Sequence, residues 1–213
     1  MLLQQLHMKL QDQIIGIDFD GTLVDSEKRH TTVLENILCN RNINIDIGDL
    51  MYLKSGGMST VEILKAKGVQ ENVAKSIAMD WVENIEEIQY LKTDKLIYGA
   101  DIFLKMASNN NKIVLITARK NINGLHQQLQ DMHLKQYFYH ICVVNPLNSK
   151  KEKTEILKQY KADCMIGDTE VDLYAALENK IDFYHIQSCF RSVEFMRHLC
   201  HDLRTFKSVC DLI

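Results

Sequence analysis

At 213 residues, 46% of them hydrophobic and 25% charged, the chain can build one large core, or one core with a small insertion. A formal net charge of -3 argues against a protein whose main task is to grip a nucleic-acid backbone. No run of about 18 successive apolar residues occurs, so no membrane-spanning helix is expected.

In chain order, Met1 to Met8 lacks the basic start and unbroken apolar stretch of a secretion signal. Leu2, Leu3, Leu6 and Leu10 have helical spacing, which predicts a short docking helix or a ragged terminus. Residues 14–17 form an apolar run that meets Asp18 and Asp20 and then breaks at Gly21. Side chains at i and i+2 of an extended segment share a face, so the two carboxylates converge where a buried strand ends. Like charges crowded in this way imply a bound cation or a proton transfer.

From residue 26 to residue 93 the pattern is helical, over 29–39, 59–67 and 72–88, with breaks at Asn40-Arg41-Asn42 and Ser55-Gly56-Gly57. No apolar strand interrupts it. The expectation is a helical cap over 26–93, inserted into a core made of 1–25 and 94–213. Lys54, Ser55, Gly56 and Gly57 form either a specificity loop over the site or an ordinary connector, and Trp81 has the spacing of cap core rather than of a stacking platform.

Four further apolar runs, at 113–116, 141–144, 164–166 and 183–186, predict strands covered on both faces. They alternate with helical patterns at 100–109, 122–132, 153–160 and 173–179, and that alternation predicts a doubly wound α/β core with a parallel sheet. The tail from Ser188, through Phe190, Val193, Met196, Leu199, Leu203, Phe206 and Val209, predicts helical packing against the core. The six cysteines (39, 142, 164, 189, 200 and 210) contain no C-x-x-C pair and read as thiols of a reducing compartment. The eight histidines show no H-x-x-x-H spacing.

Polar groups gather where the runs end, at the edge where an open α/β sheet collects its ligands. They are Asp18 and Asp20, then Thr117, then the lysines 150, 151 and 153, then Asp168 and Asp172 in Gly167-Asp168-Thr169-Glu170-Val171-Asp172. Carboxylates, a hydroxyl and an ammonium together fit Mg²⁺ with a phosphoryl group.

With D-x-D-G-T-L at 18–23 and G-D-T-x-x-D at 167–172, in order around Thr117 and the lysines, the chain resembles a phosphatase of the haloacid dehalogenase superfamily over residues 13–190. The resemblance implies a Rossmann-like core, Mg²⁺ and an aspartyl-phosphate intermediate. Asp18 resembles the nucleophile and Asp20 the general acid/base, whose backbone carbonyl is a metal ligand. Thr117 and Lys153 resemble the phosphate-binding groups, and Asp168 and Asp172 the metal-site carboxylates. Lys150 and Lys151 lie within reach of the same loop as Lys153. Arg119 could hold the phosphate or leaving group, or stand in solvent.

The expected partner is a small phosphorylated metabolite, a sugar phosphate or nucleotide, met in the cytoplasm; nucleic-acid polymers and membranes are not expected partners. The alternatives are a phosphomutase and a non-catalytic phosphate-binding module. A dehalogenase would need no Mg²⁺, and Asp20 and Asp168 argue against it. Oligomeric state is not written in the sequence.

Overall fold

The structure, a computed structural model, describes residues 11–213. The expected terminal helix at Leu2, Leu3, Leu6 and Leu10 lies outside them.

After β1 (Ile14–Ile17) and β2 (Val24–Asp25) the chain leaves the core through five helices: α1 (Glu27–Asn40), α2 (Ile47–Ser55), α3 (Thr60–Ala66), α4 (Glu71–Asn84) and α5 (Ile88–Leu91). It returns through β3 (Lys95–Leu96) and α6 (Ala100–Ala107) to β4 (Lys112–Ala118), then α7 (Ile122–Asp131) and β5 (His140–Val144). The rest is α8 (Ser149–Tyr160), β6 (Cys164–Gly167), α9 (Glu170–Asn179), β7 (Asp182–Ile186), α10 (Val193–Leu199) and β8 (Arg204–Phe206).

Six strands form a parallel sheet in the order β5-β4-β1-β6-β7-β8. The chain builds outward from β1 on one side and then crosses to the other, so the topological switch lies at β1, between β4 and β6. Apolar residues line both faces of β4. Ile113 and Leu115 join the core beneath α6 and α7, and Val114 and Ile116 join the one beneath α8 and α9. This double burial is why the strands read as unbroken apolar runs.

The inserted helices hold a cluster of their own, built on Leu34, Leu38, Leu50, Ile63, Leu64, Ala74 and Ile77, with Trp81 packed against it. At its base, β2 and β3 pair antiparallel (Val24 with Leu96, Asp25 with Lys95), tying the departing and returning segments together.

Two sequence expectations are corrected. The helix expected over 72–88 stops at Asn84, because Glu86 turns inward and accepts hydrogen bonds from Lys120 N at 2.8 Å and Asn121 N at 2.6 Å, at the start of α7. The tail is not helical throughout. Only Val193–Leu199 is an α-helix, and Arg204–Phe206 forms a sixth parallel strand against Tyr184–Ile186.

Candidate active site

Three glycines set the geometry at the carboxyl edge of the sheet. A Cβ on Gly16 would stand 2.5 Å from Leu157 Cδ2, so the bare strand backbone lets α8 settle close to β1. Lys153 lies one turn before Leu157 on the same helix face. From there its Nζ donates to Asp18 Oδ1 at 2.7 Å and to Asp172 Oδ1 at 2.6 Å.

Gly167 plays the matching part for α9, since a Cβ there would lie 2.5 Å from Asp172 Cβ. The second oxygen of Asp172 accepts from Thr169 N at 3.3 Å and from Thr169 Oγ1 at 3.0 Å, which fixes the carboxylate in the first turn. Gly21, at φ +76°, is the third; a Cβ there would meet Asp168 Oδ2 at 2.1 Å. Both the positive φ and the close approach require glycine. Ser188 Oγ donates to the same Asp168 oxygen at 2.6 Å, and His185 Nε2 donates to the Asp168 backbone carbonyl at 3.2 Å.

Carboxylate oxygens of Asp18, Asp168 and Asp172 all lie within 4.8 Å of one another, and all three residues are buried. Burial raises the Asp18 carboxyl to about 7 despite the opposing pull of Lys153, and Asp172 pushes the same way as burial. Burial and the charges of Asp18 and Asp172 also hold Asp168 far above the usual carboxylate range. For Lys153, burial works against the charged form, but Asp172 and Asp18 override it and keep the ammonium protonated. Asp168 Oδ1 is buried and has no hydrogen-bond partner. Three hard oxygen donors facing one ammonium, with one donor oxygen unengaged, fit a divalent cation.

Asp20 has the opposite environment. Arg119 grips it with Nε and Nη2, each at 2.7 Å, and Arg29 Nη2 donates to it from the cap. Burial would raise its pKa, but Arg119 and then Arg29 overcome that and hold the carboxyl below its usual range. Both arginines also face Asp94: Arg29 Nε lies 3.0 Å from it, Arg119 Nη2 lies 3.9 Å away, and Gln128 Nε2 donates to Asp94 at 2.8 Å.

The structure thus gathers Asp18, Lys153, Asp168 and Asp172 directly, and leaves the Asp20 carboxylate outside the three-carboxylate cluster. Thr117 is buried at the carboxyl end of β4, two residues past the Leu115 that pairs with Ile17. Arg119 does not stand in solvent; it is 3% exposed, holds Asp20 with Nε and Nη2, and keeps Nη1 without a partner. Of the neighbouring lysines, Lys150 lies over the Tyr174 ring and Lys151 pairs loosely with Glu155 at the surface, so neither reaches Asp18. Sequence reasoning missed Arg29, Asp94, Ser188 and His185. Arg29 left a signal: it shares the buried stripe of α1 with Val33, Leu34 and Leu38, where a charge needs a partner.

A doubly wound parallel sheet with an acidic centre at its switch point and helices inserted after the first strand define a Rossmann-like α/β protein with an aspartate-centred site. Residues 15–186 match the family described as haloacid dehalogenase-like hydrolase, and the chain belongs to that family. A comparison with curated proteins finds no match.

Among solved structures, a haloacid dehalogenase-like family protein from Streptococcus pneumoniae superposes with a TM-score of 0.75 at 15% identity, covering 94% of this chain and 96% of that one. A protein described as a predicted phosphatase from Clostridium acetobutylicum gives 0.73 at 20% identity, covering 95% and 96%. Protein tyrosine kinase A of Mycobacterium tuberculosis gives 0.72 at 18% identity, covering 95% and 96%. At these identities the likeness is one of fold, and the fold hosts more than one reaction.

Proposed function

We propose that this chain is a Mg²⁺-dependent phosphatase that hydrolyses a small phosphomonoester through an aspartyl phosphate on Asp18. The observation that carries the reading is the Asp18 carboxylate, held by Lys153 at 2.7 Å and gathered with Asp168 and Asp172. Mg²⁺, held by Asp18, Asp168, Asp172 and the Asp20 backbone carbonyl, would neutralise phosphoryl charge as a Lewis acid.

Asp18 attacks phosphorus, and its new O–P bond forms as the bond to the leaving oxygen breaks. Lys153 offsets the negative charge that collects there, and the Thr117 hydroxyl donates to a phosphoryl oxygen. The leaving alkoxide takes a proton, the task assigned to Asp20. Water then attacks the aspartyl phosphate and gives its proton to Asp20, which releases phosphate and restores Asp18. Once Asp20 has given its proton to the leaving oxygen, the two arginines stabilise the ionised carboxylate that this second step requires.

The inserted helices, latched to the core, favour a small soluble substrate over a polymer or a membrane surface. Six unpaired cysteines support a reducing, cytoplasmic setting, and among the described residues no helix is long and apolar enough to cross a membrane.

p-Nitrophenyl phosphate should be turned over in Mg²⁺ and not in EDTA. Acid-quenched turnover should leave a phosphoryl adduct on the peptide containing Asp18. Asp18→Asn should lose both adduct and turnover, and turnover retained in that variant would refute the mechanism.

A further inference from the structure

We propose that Lys54 binds a second anionic group, so that the substrate carries a carboxylate or a second phosphate beyond the phosphoryl group that reacts. The inference deepens the phosphatase reading and rests on it for the position of the first phosphate.

Lys54 lies in the last turn of α2, on the stretch of the inserted helices that is fastened to the core. Arg191 Nη1 donates to the Lys54 carbonyl at 3.2 Å, and Ser192 N donates to the Ser55 carbonyl at 2.8 Å. Gly57, at φ +95°, sits so close to Phe195 that a Cβ would stand 2.3 Å from its ring. The backbone beneath Lys54 is therefore fixed against the loop that follows β7.

Among the described residues, the half-buried ammonium has no charged partner. Its Nζ donates to the neutral Thr60 hydroxyl at 2.8 Å and rests 4.8 Å from the Trp81 ring centroid. No carboxylate pairs with it among the described residues. Arg191, which does have a carboxylate partner in Glu170, adds repulsion. Burial first, and Arg191 second, lower the Lys54 ammonium to about 8. A partly desolvated cation without a counter-ion is unfavourable, and an anion placed beside it reverses the balance.

A chain of ring contacts leads from the reacting centre towards Lys54. Phe190 packs on Gly21 of the catalytic turn, the His30 ring lies 4.5 Å from Phe190, and Trp81 lies 5.2 Å from His30. His30 is kept uncharged by burial, and it feels the charges of both Asp20 and Lys54. Lys54 thus stands at the far end of a strip of rings that begins beside Asp20. A molecule with a phosphate at Asp18 and an acid at Lys54 would lay its uncharged middle along those rings.

Calorimetric titration in Mg²⁺ reads the second charge without turnover. The probes are ω-carboxyalkyl phosphonates of increasing chain length, the matching α,ω-diphosphonates, and plain alkyl phosphonates as the singly anionic reference. At the chain length that spans the strip, the wild type should bind the doubly functional probe tenfold or more tightly than its alkyl partner. Whether carboxylate or phosphonate gains more tells the two kinds of second anion apart. Lys54→Met should bring the ratio close to one, and Lys54→Arg should restore most of it. No gain at any chain length, or a gain that survives in Lys54→Met, overturns the proposal. Failure of the phosphatase reading is seen separately, as absent turnover of p-nitrophenyl phosphate, and does not alter this ratio.

Discussion

Replacing Lys153 by methionine keeps the length and apolar contacts of the side chain and removes the one ammonium that touches the acidic cluster. Asp18 and Asp172 each lose a charge-assisted hydrogen bond, at 2.7 Å and 2.6 Å, and three carboxylates remain within 4.8 Å of one another. At that spacing each ionised pair repels by about 3.5 kcal/mol for an effective dielectric constant of about 20. The metal-free protein can escape by binding one more proton. Holding a carboxyl of ordinary pKa, about 3.9, protonated at pH 7 costs about 4 kcal/mol, and at pH 5.5 about 2 kcal/mol.

Lys153→Met should therefore lose about 4 kcal/mol of stability at pH 7, in line with the 3–5 kcal/mol typical of breaking a buried ion pair. The loss should shrink to about 2 kcal/mol at pH 5.5. The sign follows from the carboxyl pKa values being raised in the folded state: protons favour folding, so acid helps the variant. Urea unfolding in EDTA at the two pH values measures it. A deficit below about 1 kcal/mol at pH 7, or one that grows on acidification, would refute this account of the cluster.

Arg29→Gln removes one of the two guanidinium groups that hold Asp20 ionised, so the Asp20 pKa should rise. Asp20 acts as the base when water attacks the aspartyl phosphate, so the acid limb of the dephosphorylation rate, followed in single turnover, should move to higher pH; a limb that stays in place would show that Arg29 does not act on Asp20. Gly21→Ala forces a Cβ to 2.1 Å from Asp168 Oδ2 at a positive φ, and should cost at least about 2 kcal/mol in urea unfolding while displacing Asp168. A loss within about 0.5 kcal/mol would mean that the turn relaxes freely. Lys150→Ala and Lys151→Ala should keep turnover within about twofold, since both side chains lie outside the cluster; a large loss in either would relocate the phosphate.

The sheet was legible because its central strands are buried on both faces, so that 113–116 and 164–166 appear as apolar runs whatever their register. β8 was not, because three half-buried residues at a sheet edge are too few to show a period of two, and Leu203, Phe206 and Val209 around them imitate a helical stripe. Asp18, Asp168 and Asp172 were legible as residues that follow strands β1 and β6. Their meeting with Lys153 was less so, because it depends on Gly16 and Gly167 admitting two helices, which spacing alone does not reveal. Arg119 was named as a charged residue near the site, but its partner was not. That choice depends on Arg29 and Asp94, which reach the same place from residues 9 and 74 positions beyond Asp20.

Charge balance explains why two aspartates two residues apart behave oppositely. Asp20 and Asp94 face Arg29 and Arg119, two negative groups against two positive ones, so this half of the site is neutral with Asp20 ionised. Asp18, Asp168 and Asp172 face only Lys153, three negative groups against one. The excess of two is the charge of one divalent cation; without it, burial first and the charge of Asp172 second raise Asp18 to about 7 against the pull of Lys153. The arginines serve the neutral half; if they neutralised the cluster instead, no cation would be drawn there and Asp20 would lose its hold. Because Arg29 comes from the inserted helices while Arg119 comes from the core, the balance at Asp20 is complete only with both parts of the molecule in place. The half that would hold a cation draws on core residues alone.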